Sequence, residues 1–147
     1  MPLERQVGSY TISDDAARLD LHAIHAYLNR AYWSAGIPLA IVERAIRGSL
    51  CIGAYEGTGA QVGLTRLISD YATFCYVSDV YVLERHRGRG LSKAMLGMAI
   101  EHPRLQGLRR WSLVTADAHE LYRQFGFVAV AQPERHMERL VPGIYRR

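Results

Sequence analysis

Residues 80–91 read Val80-Tyr81-Val82-Leu83-Glu84-Arg85-His86-Arg87-Gly88-Arg89-Gly90-Leu91, and this stretch decides the fold. An extended, β-branched run leads into a turn with two glycines, and an amphipathic helical pattern follows. The two glycines let backbone N–H groups turn toward an anion with no Cβ in the way, and the helix N-terminus adds partial positive charge. The order of these features predicts a phosphate-binding loop, with charge supplied by Arg85, Arg87 and Arg89.

Length and composition set the broad class of the protein. The chain has 147 residues, of which 49% are hydrophobic, so we expect one domain over residues 1–147 with a substantial core. Residues 1–6 lack the apolar segment of a signal peptide, and no run approaches the roughly 18 apolar residues that span a bilayer. These features predict a soluble, cytoplasmic protein that does not bind membranes. Cys51 and Cys75 lack metal or redox spacing and are expected to be buried.

The formal net charge of +4 raises a nucleic-acid hypothesis. The densest basic segment coincides with the glycine loop, however, so an anionic cofactor explains the charge locally, and we expect no nucleic-acid partner. A nucleic-acid module stays the least favoured alternative, and it would bind with steep salt dependence. A second basic cluster, Arg104 with Arg109 and Arg110, fits a solvated connection or contact with the far end of a large anionic cofactor.

Periodicity predicts alternating helices and strands without repeats. A first helix, capped by Ser13 or Asp14, is expected to end near residues 32–36, and a second to run from Pro38 to Gly48. Further helices are predicted at 91–102 and 118–125. Strands are predicted at residues 8–13, 49–55, 61–68, 73–82, 111–115, 127–131 and 136–140.

Two motifs carry a family resemblance. The spacing Arg85-x-x-Gly88-x-Gly90 before the helix resembles the acyl-CoA pyrophosphate loop of the GNAT superfamily of N-acetyltransferases. Residues 118–127, Ala-His-Glu-Leu-Tyr-Arg-Gln-Phe-Gly-Phe, are similar to the family segment in which a Leu-Tyr pair and a Gly-Phe close a short helix. Both motifs lie in the expected order, and they cover about residues 74–130.

The resemblance implies an α/β (α+β) fold with a mixed, mostly antiparallel sheet of six to seven strands and about four flanking helices. Strand 73–82 would splay from strand 111–115 and leave a cleft for the acyl-pantetheine arm. The cosubstrate would be acetyl-CoA, with no metal. Its arm would pair with backbone groups around Val80 and Val82, and its pyrophosphate would lie on the amides from Arg87 to Leu91. The implied cofactor-binding residues are Val80, Tyr81, Val82, Arg85, Arg87, Gly88, Arg89, Gly90, Leu91, Ser92 and Thr115.

Tyr122 matches the family residue that gives a proton to the departing thiolate. A phenol has an ordinary pKa of about 10, close to that of a thiol, so this transfer is nearly balanced. A backbone N–H near Val80 would stabilise the oxyanion.

The general base is assigned less directly. Asp79 is the candidate, acting directly or through water on the ammonium. Family members often carry a Glu-Asp pair here, whereas this chain has Ser78 before the aspartate. Asp79 fits equally well as a structural carboxylate near a strand bulge. His119 is a reserve candidate that also fits a surface residue.

Other positions concern cofactor and acceptor contacts. Thr115 stands where the family often has Asn, and its hydroxyl can make one bond to pantetheine. Tyr32 and Trp33 are the candidate acceptor-binding residues, with His136 and Glu138 opposite, although aromatics at helical spacing also fit a core.

The sequence therefore predicts a cytoplasmic N-acetyltransferase that moves acetyl from acetyl-CoA to a primary amine by direct attack in a ternary complex. The acceptor would be a small molecule or a peptide amine. Homodimers are common among members of the family. The alternative is a non-catalytic acyl-CoA-binding or sensor domain, because a fold does not fix a function.

Overall fold

The fold is a six-stranded sheet in which every strand pairs with its neighbours in sequence. The computed structural model describes residues 1–146, and the strand order is β1-β2-β3-β4-β5-β6. The first five strands pair antiparallel, and β6 is parallel to β5. The strands are β1 (Glu4–Val7), β2 (Tyr10–Ser13), β3 (Leu50–Tyr55), β4 (Gln61–Ser69), β5 (Phe74–Val82) and β6 (Arg110–Leu113).

Four α-helices flank the sheet, with two hydrophobic clusters between the helices and the sheet. The helices are α1 (Leu21–Leu28), α2 (Leu39–Arg47), α3 (Leu91–Glu101) and α4 (His119–Arg123). Helix α3 is the crossover between the parallel strands β5 and β6, and it buries Met95, Leu96 and Met98 against one face of the sheet. Helices α1 and α2 cover the other face through Ile24, Leu28 and Val42. The structure thus confirms the mixed, mostly antiparallel architecture.

Strand β5 contains a bulge that separates its two halves. Thr65 pairs with Val80 and Leu67 pairs with Val77, so Arg66 alone opposes both Ser78 and Asp79. A bulge of this kind bends the strand and places two successive side chains on one face. Strand β6 pairs with β5 only from Phe74 to Val77 and stops before the bulge, whereas β5 continues to Val82. The outer edge of the later half of β5 therefore opens into the expected cleft.

The predicted strands in the middle of the chain and helices α2, α3 and α4 are confirmed to within three residues at each end. The N-terminal predictions were wrong in detail. Residues 8–13 do not form one strand, because Gly8, with a φ of +59°, turns the chain between β1 and β2. The first helix begins at Leu21, capped by Asp20, and ends at Leu28. Asp14 cannot cap it because its carboxylate accepts bonds from Leu3 N and His102 Nε2.

The two C-terminal strands predicted at 127–131 and 136–140 do not form. Residues 127–140 lie in the described part of the chain, and they contain one short 3-10 turn, Pro133–Arg135, and no strand pairing. A strand needs a partner for its N–H and C=O groups, and within residues 1–146 these segments pair with none. The chain end returns to the body, where Tyr145 packs on the cluster beneath α1 and α2.

None of the helices in residues 1–146 combines the length and apolar composition that crossing a bilayer requires.

Gly36 provides a test of how the chain end is held. Gly36 has a φ of +86°, and a Cβ there would lie 2.6 Å from the carbonyl oxygen of Tyr145. Gly59, with a φ of +93°, has open space around it and is the matched control. We expect Gly59→Ala to cost about 1–2 kcal/mol for its left-handed backbone. Gly36→Ala should cost at least about 1 kcal/mol more, because the Tyr145 carbonyl must move. Urea titrations measure the free energy of unfolding of both variants. Equal losses of stability would show that Tyr145 does not dock against Gly36.

Candidate active site

The glycine loop forms an open cradle at the N-terminus of α3. Gly88 and Gly90 each have a φ of +78°, and a Cβ on either would meet no atom within 4 Å. Gly90 is the N-cap residue of α3, and within residues 1–146 no side chain caps the first amides of that helix. These amides therefore face the cradle, where an anion can accept from them.

A cavity of about 190 Å³ lies on this cradle. It contains most of the predicted loop residues and adds His86, Lys93 and Leu121, which the sequence analysis did not select. Leu121 belongs to α4, so the second motif closes one side of the cavity formed by the first. The lining residues are Val82, His86, Arg87, Gly88, Gly90, Leu91, Ser92, Lys93 and Leu121.

The three loop arginines take different positions. Arg87 holds the loop to the end of β5, because its Nε donates to the Val82 carbonyl at 2.9 Å. Arg89 lies over the Tyr10 ring at 5.9 Å, and Arg85 is exposed in the short turn Glu84–His86. Arg85 and Arg89 thus lie beside the cavity and do not line it.

The backbone of Val80 and Val82 faces the open edge of β5. Leu83 N donates to Val62 O, so Leu83 and Tyr81 bond toward β4, and by alternation Val80 and Val82 direct their groups to the opposite side. The Val82 carbonyl is taken by Arg87, which leaves the groups of Val80 free for a ligand strand. The Tyr81 ring stacks on Tyr27 at 3.9 Å and lies on the α1 side of the sheet.

Asp79 lies at the bulge and is only 5% exposed. One carboxylate oxygen accepts from Trp33 Nε1 at 2.7 Å, and the other accepts from Arg66 Nε at 2.7 Å. The Arg66 side chain, 14% exposed, also donates to Ser78 Oγ at 2.8 Å and to Ser49 Oγ at 3.0 Å. Both oxygens of Asp79 are therefore occupied, and the buried charges of Asp79 and Arg66 are paired with each other.

Arg66 was not among the site residues predicted from the sequence. The available signal was a single charged residue inside the strand sequence Leu64-Thr65-Arg66-Leu67. Such a residue has to find a carboxylate or hydroxyl partner if it is buried.

The loop between α1 and α2 places aromatic side chains over the bulge. Trp33 packs edge-on against Tyr32 with ring centroids 5.0 Å apart, and it lies 6.2 Å from the Tyr27 ring. Tyr32 is 67% exposed, so it is not a core residue. Tyr27, Tyr32, Trp33 and Tyr81 form what we call the aromatic cluster.

Tyr122 is buried in α4 and packs edge-on against Phe127 at 5.9 Å. Burial raises the pKa of Tyr122 to about 12, and the nearby Tyr32 and Asp117 add to the shift. Its phenol is therefore protonated at neutral pH. His119 is exposed at the first residue of α4, and the Thr115 hydroxyl accepts from Ala118 N at 3.0 Å.

A larger cavity, of about 530 Å³, lies at the other end of β3, away from the glycine loop. Of the charged groups that line it, His102 pairs with Asp14 at 2.8 Å and Arg47 with Glu43 at 3.3 Å, while Arg104 lies over the Tyr71 ring at 3.9 Å. The glycine cradle has unpaired amides, so the smaller cavity is the candidate anion site. In the described part of the chain, no group of three or more His, Cys, Asp or Glu side chains could hold a metal ion.

Comparisons with known proteins agree with this geometry. The model of the acetyltransferase (GNAT) family matches residues 11–127. A crystal structure of a candidate GNAT acetyltransferase from Xanthomonas campestris pv. campestris is 49% identical, with a TM-score of 0.92, over 97% of this chain and 100% of that one. The Gibberella zeae protein FG08082, named as a candidate acetyltransferase, is 37% identical over 78% of this chain and 76% of its own length. The uncharacterized N-acetyltransferase YjgM of Escherichia coli is 32% identical, over 80% of this chain and 62% of its own.

The chain belongs to the GNAT family of acetyltransferases. It is an acyltransferase of that family, and the fold described above is the one that the resemblance implied.

Replacing Asp79 tests the network at the bulge. In Asp79→Asn, one of the two donors, Trp33 N–H or Arg66 N–H, must face the carboxamide NH₂, and Arg66 loses its counter-charge. We expect the free energy of unfolding to fall by about 2–3 kcal/mol in urea titrations. Asp117→Asn removes an exposed carboxylate and should change stability by less than about 0.5 kcal/mol. If Asp79→Asn loses no more free energy of unfolding than Asp117→Asn, Asp79 does not anchor the loop.

Proposed function

We propose that this protein is an N-acetyltransferase that transfers the acetyl group of acetyl-CoA directly to a primary amine. The supporting observation is the pairing of an uncapped, glycine-lined helix N-terminus with the open edge of β5. The first feature suits a pyrophosphate and the second suits an extended amide-containing arm.

The residues present fit the cosubstrate. Side chains at 88 and 90 would fill the cradle, and both positions are glycine with open space above them. The amides from Gly88 to Leu91, the Ser92 hydroxyl and Lys93 would hold the pyrophosphate, and Val80 would pair with the pantetheine arm. The Arg87 N–H, which was expected to join them, donates to the Glu84 carbonyl at 3.2 Å instead. Thr115 accepts from Ala118 N and keeps its hydroxyl proton for a ligand carbonyl. Bound acetyl-CoA supplies an activated thioester.

Tyr122 is the proposed donor to the thiolate. Its pKa of about 12 makes it a weaker acid than a free phenol. Complete proton transfer therefore costs about 3 kcal/mol more than it would from an unperturbed tyrosine. The phenol remains protonated through the working pH range and donates a hydrogen bond to sulfur as its negative charge develops. The Val80 N–H is the proposed donor to the oxyanion.

We propose that Asp79 is a positioning residue. Of the two roles that the sequence left open, its bonds to Arg66 and Trp33 support the structural one, because each oxygen already accepts a hydrogen bond and the carboxylate is the counter-charge of Arg66. Asp79 then fixes Trp33 and, through it, the loop that carries Tyr32. His119 is the remaining protein candidate for the base, with water as the other.

The proposed acceptor is a small-molecule or peptide amine that contacts Tyr32 and Trp33. Their exposure supports this role, because a core function would bury them. We also propose that the protein is one domain that works in the cytoplasm without a metal, and without nucleic-acid or membrane partners. The buried, free thiols of Cys51 and Cys75 suit a reducing compartment.

Calorimetric titration with acetyl-CoA tests the cradle. We expect micromolar binding to the wild-type protein and none to Gly88→Trp, because the indole would fill the cradle. Gly107→Trp is the control: Gly107 has a φ of +75° and open space, but it lies in the turn before β6. Failure of the folded wild-type protein to bind acetyl-CoA would refute the enzyme proposal. Turnover of any amine would exclude the non-catalytic acyl-CoA-binding alternative.

Tyr122→Phe tests the proton donor, with an amine found by screening. We expect kcat to fall about 10²–10⁴-fold with little change in the KM for acetyl-CoA. Since the pKa of Tyr122 is about 12, its ionisation should not shape the pH profile below pH 10, and the profiles of variant and wild type should have the same form there. Tyr71→Phe, in the β4–β5 turn, is the control. A kcat unchanged by Tyr122→Phe would remove Tyr122 from the mechanism.

A further inference from the structure

His86 lines the cavity on the glycine cradle, and the proposed reaction gives it no role. Its side chain is 12% exposed, so most of the imidazole is enclosed by protein. Histidine is the side chain that gains or loses a proton near neutral pH. The partners of its two ring nitrogens therefore decide whether His86 can carry a positive charge beside a bound anion.

Each ring nitrogen of His86 has a side-chain partner. Nδ1 lies 2.7 Å from the hydroxyl of Tyr10, in β2, and Nε2 lies 3.4 Å from Glu56 Oε2, in the turn between β3 and β4. The other oxygen of Glu56 accepts from the Thr58 hydroxyl at 2.9 Å. The Tyr10 and His86 rings also pack edge-on, with centroids 5.6 Å apart. These contacts fix the imidazole between β2 and the β3–β4 turn.

The partner at Nδ1 can reverse its role, because a phenol hydroxyl can both donate and accept. With a neutral ring, Nε2–H points to Glu56 and the Tyr10 hydroxyl donates to Nδ1. With a charged ring, Nδ1–H donates to the Tyr10 oxygen instead, and Nε2–H keeps its contact with Glu56. His86 can therefore take a proton from solvent without losing either contact.

His102 shows the opposite arrangement. Its Nδ1 accepts from the backbone N–H of Arg104 at 3.1 Å, and its Nε2 lies 2.8 Å from Asp14 Oδ2. A backbone N–H can only donate, so a proton on Nδ1 of His102 would break that hydrogen bond. Of these two enclosed histidines, His86 is the one whose partners suit both charge states.

The charged and titratable groups around His86 come from four elements of the fold. They are Tyr10 in β2, Glu56 in the β3–β4 turn, Arg87 and Arg89 in the glycine loop, and Lys93 in α3. The neighbours of His86 in its own short turn, Glu84 and Arg85, are exposed and opposite in charge. The cations of the loop and of α3 disfavour a further positive charge, and the single carboxylate of Glu56 offsets only part of their effect. A bound pyrophosphate brings negative charge into the cavity and favours the charged imidazole.

We propose that His86 is a further cofactor-binding residue, which takes up a proton when acyl-CoA binds and then faces the pyrophosphate as an imidazolium ion. This inference rests on the proposed function, because it requires acyl-CoA in the cradle. The proton comes from solvent, and Tyr10 and Glu56 are positioning residues that hold the ring in either charge state. Arg85 and Arg89 lie beside the cavity, so His86 supplies charge within it that these two arginines do not.

The sign of the pH dependence follows from the protons bound on each side of the binding equilibrium. The complex holds more protons than the free protein and ligand together, so association consumes protons. Affinity must then fall as the pH rises. One linked proton changes the affinity by at most about tenfold per pH unit.

Calorimetric titration with dephospho-CoA tests the proposal. This ligand keeps the pyrophosphate diester but lacks the 3′-phosphate, whose own second pKa of about 6 would add to the signal. Titrations in buffers with different ionisation enthalpies give the number of protons taken up. We expect net uptake near neutral pH, and an affinity that falls roughly three- to tenfold from about pH 6 to about pH 8. Binding without proton uptake overturns this proposal alone, whereas a folded protein that binds neither dephospho-CoA nor acetyl-CoA at any pH overturns the proposed function with it.

Three variants assign the proton to His86. His86→Gln keeps a polar side chain that cannot be protonated near neutral pH, so the affinity should change less than about twofold over the same pH range. Glu56→Gln removes the balancing carboxylate and should move the steep part of the profile to lower pH. His22→Gln removes an exposed histidine on α1 and should match the wild-type profile. Undiminished proton uptake in His86→Gln contradicts the proposal, and an unchanged profile in Glu56→Gln removes Glu56 from it.

Nuclear magnetic resonance on the wild-type protein decides the matter if His86→Gln fails to fold. At about pH 7, the ring signals of His86 should move toward those of a protonated imidazole when dephospho-CoA saturates the protein. Ring signals that keep the character of a neutral imidazole in the complex overturn the proposal.

Discussion

The bulge at Ser78 and Asp79 is the constraint on which the rest of the structure depends. It turns two successive side chains of β5 to the same face, where one arginine holds both. The strand pairs with β6 before the bulge and runs free after it. The same irregularity therefore creates the open edge on which a ligand strand can pair. It also places the Asp79 carboxylate where it binds Trp33 in the loop after α1. A regular β5 would provide neither.

Arg66 is the counter-charge of the buried Asp79 carboxylate. A buried carboxylate without a counter-charge is costly, and a buried guanidinium needs several acceptors. The pair satisfies both needs, with Ser78 and Ser49 taking the remaining donors and Trp33 giving the carboxylate its second bond. As a result, each carboxylate oxygen of Asp79 already accepts one hydrogen bond. Its charge is used to hold the loop after α1 in place, which is consistent with Ser standing where relatives often have a second acid.

The parts of the fold that could be predicted from the sequence are those set by local rules. The glycine loop, β5 and α3 follow from φ requirements and periodicity within residues 74–101. The start of α1 was missed because Asp14, a good capping residue, is used by Leu3 and His102 from distant parts of the chain. The partners of Asp79 were missed because they lie 13 and 46 residues away. The two C-terminal strands predicted at 127–131 and 136–140 were wrong, because an alternating pattern does not ensure pairing and these segments pair with no strand in residues 1–146.

The residues that could be predicted from the sequence and those that could not belong to different halves of the proposed site. The cofactor half is nearly contiguous, from Val80 to Lys93, and Arg87 ties its loop directly to the strand that would hold the pantetheine arm. The proposed acceptor half is assembled from the aromatic cluster, the bulge and α4, which are far apart in the sequence. Substitutions that alter acceptor preference therefore need not lie in the cleft. Ser49, at the start of β3, reaches it through Arg66 and Asp79, so a change there would be transmitted to Trp33 by two hydrogen bonds and an ion pair.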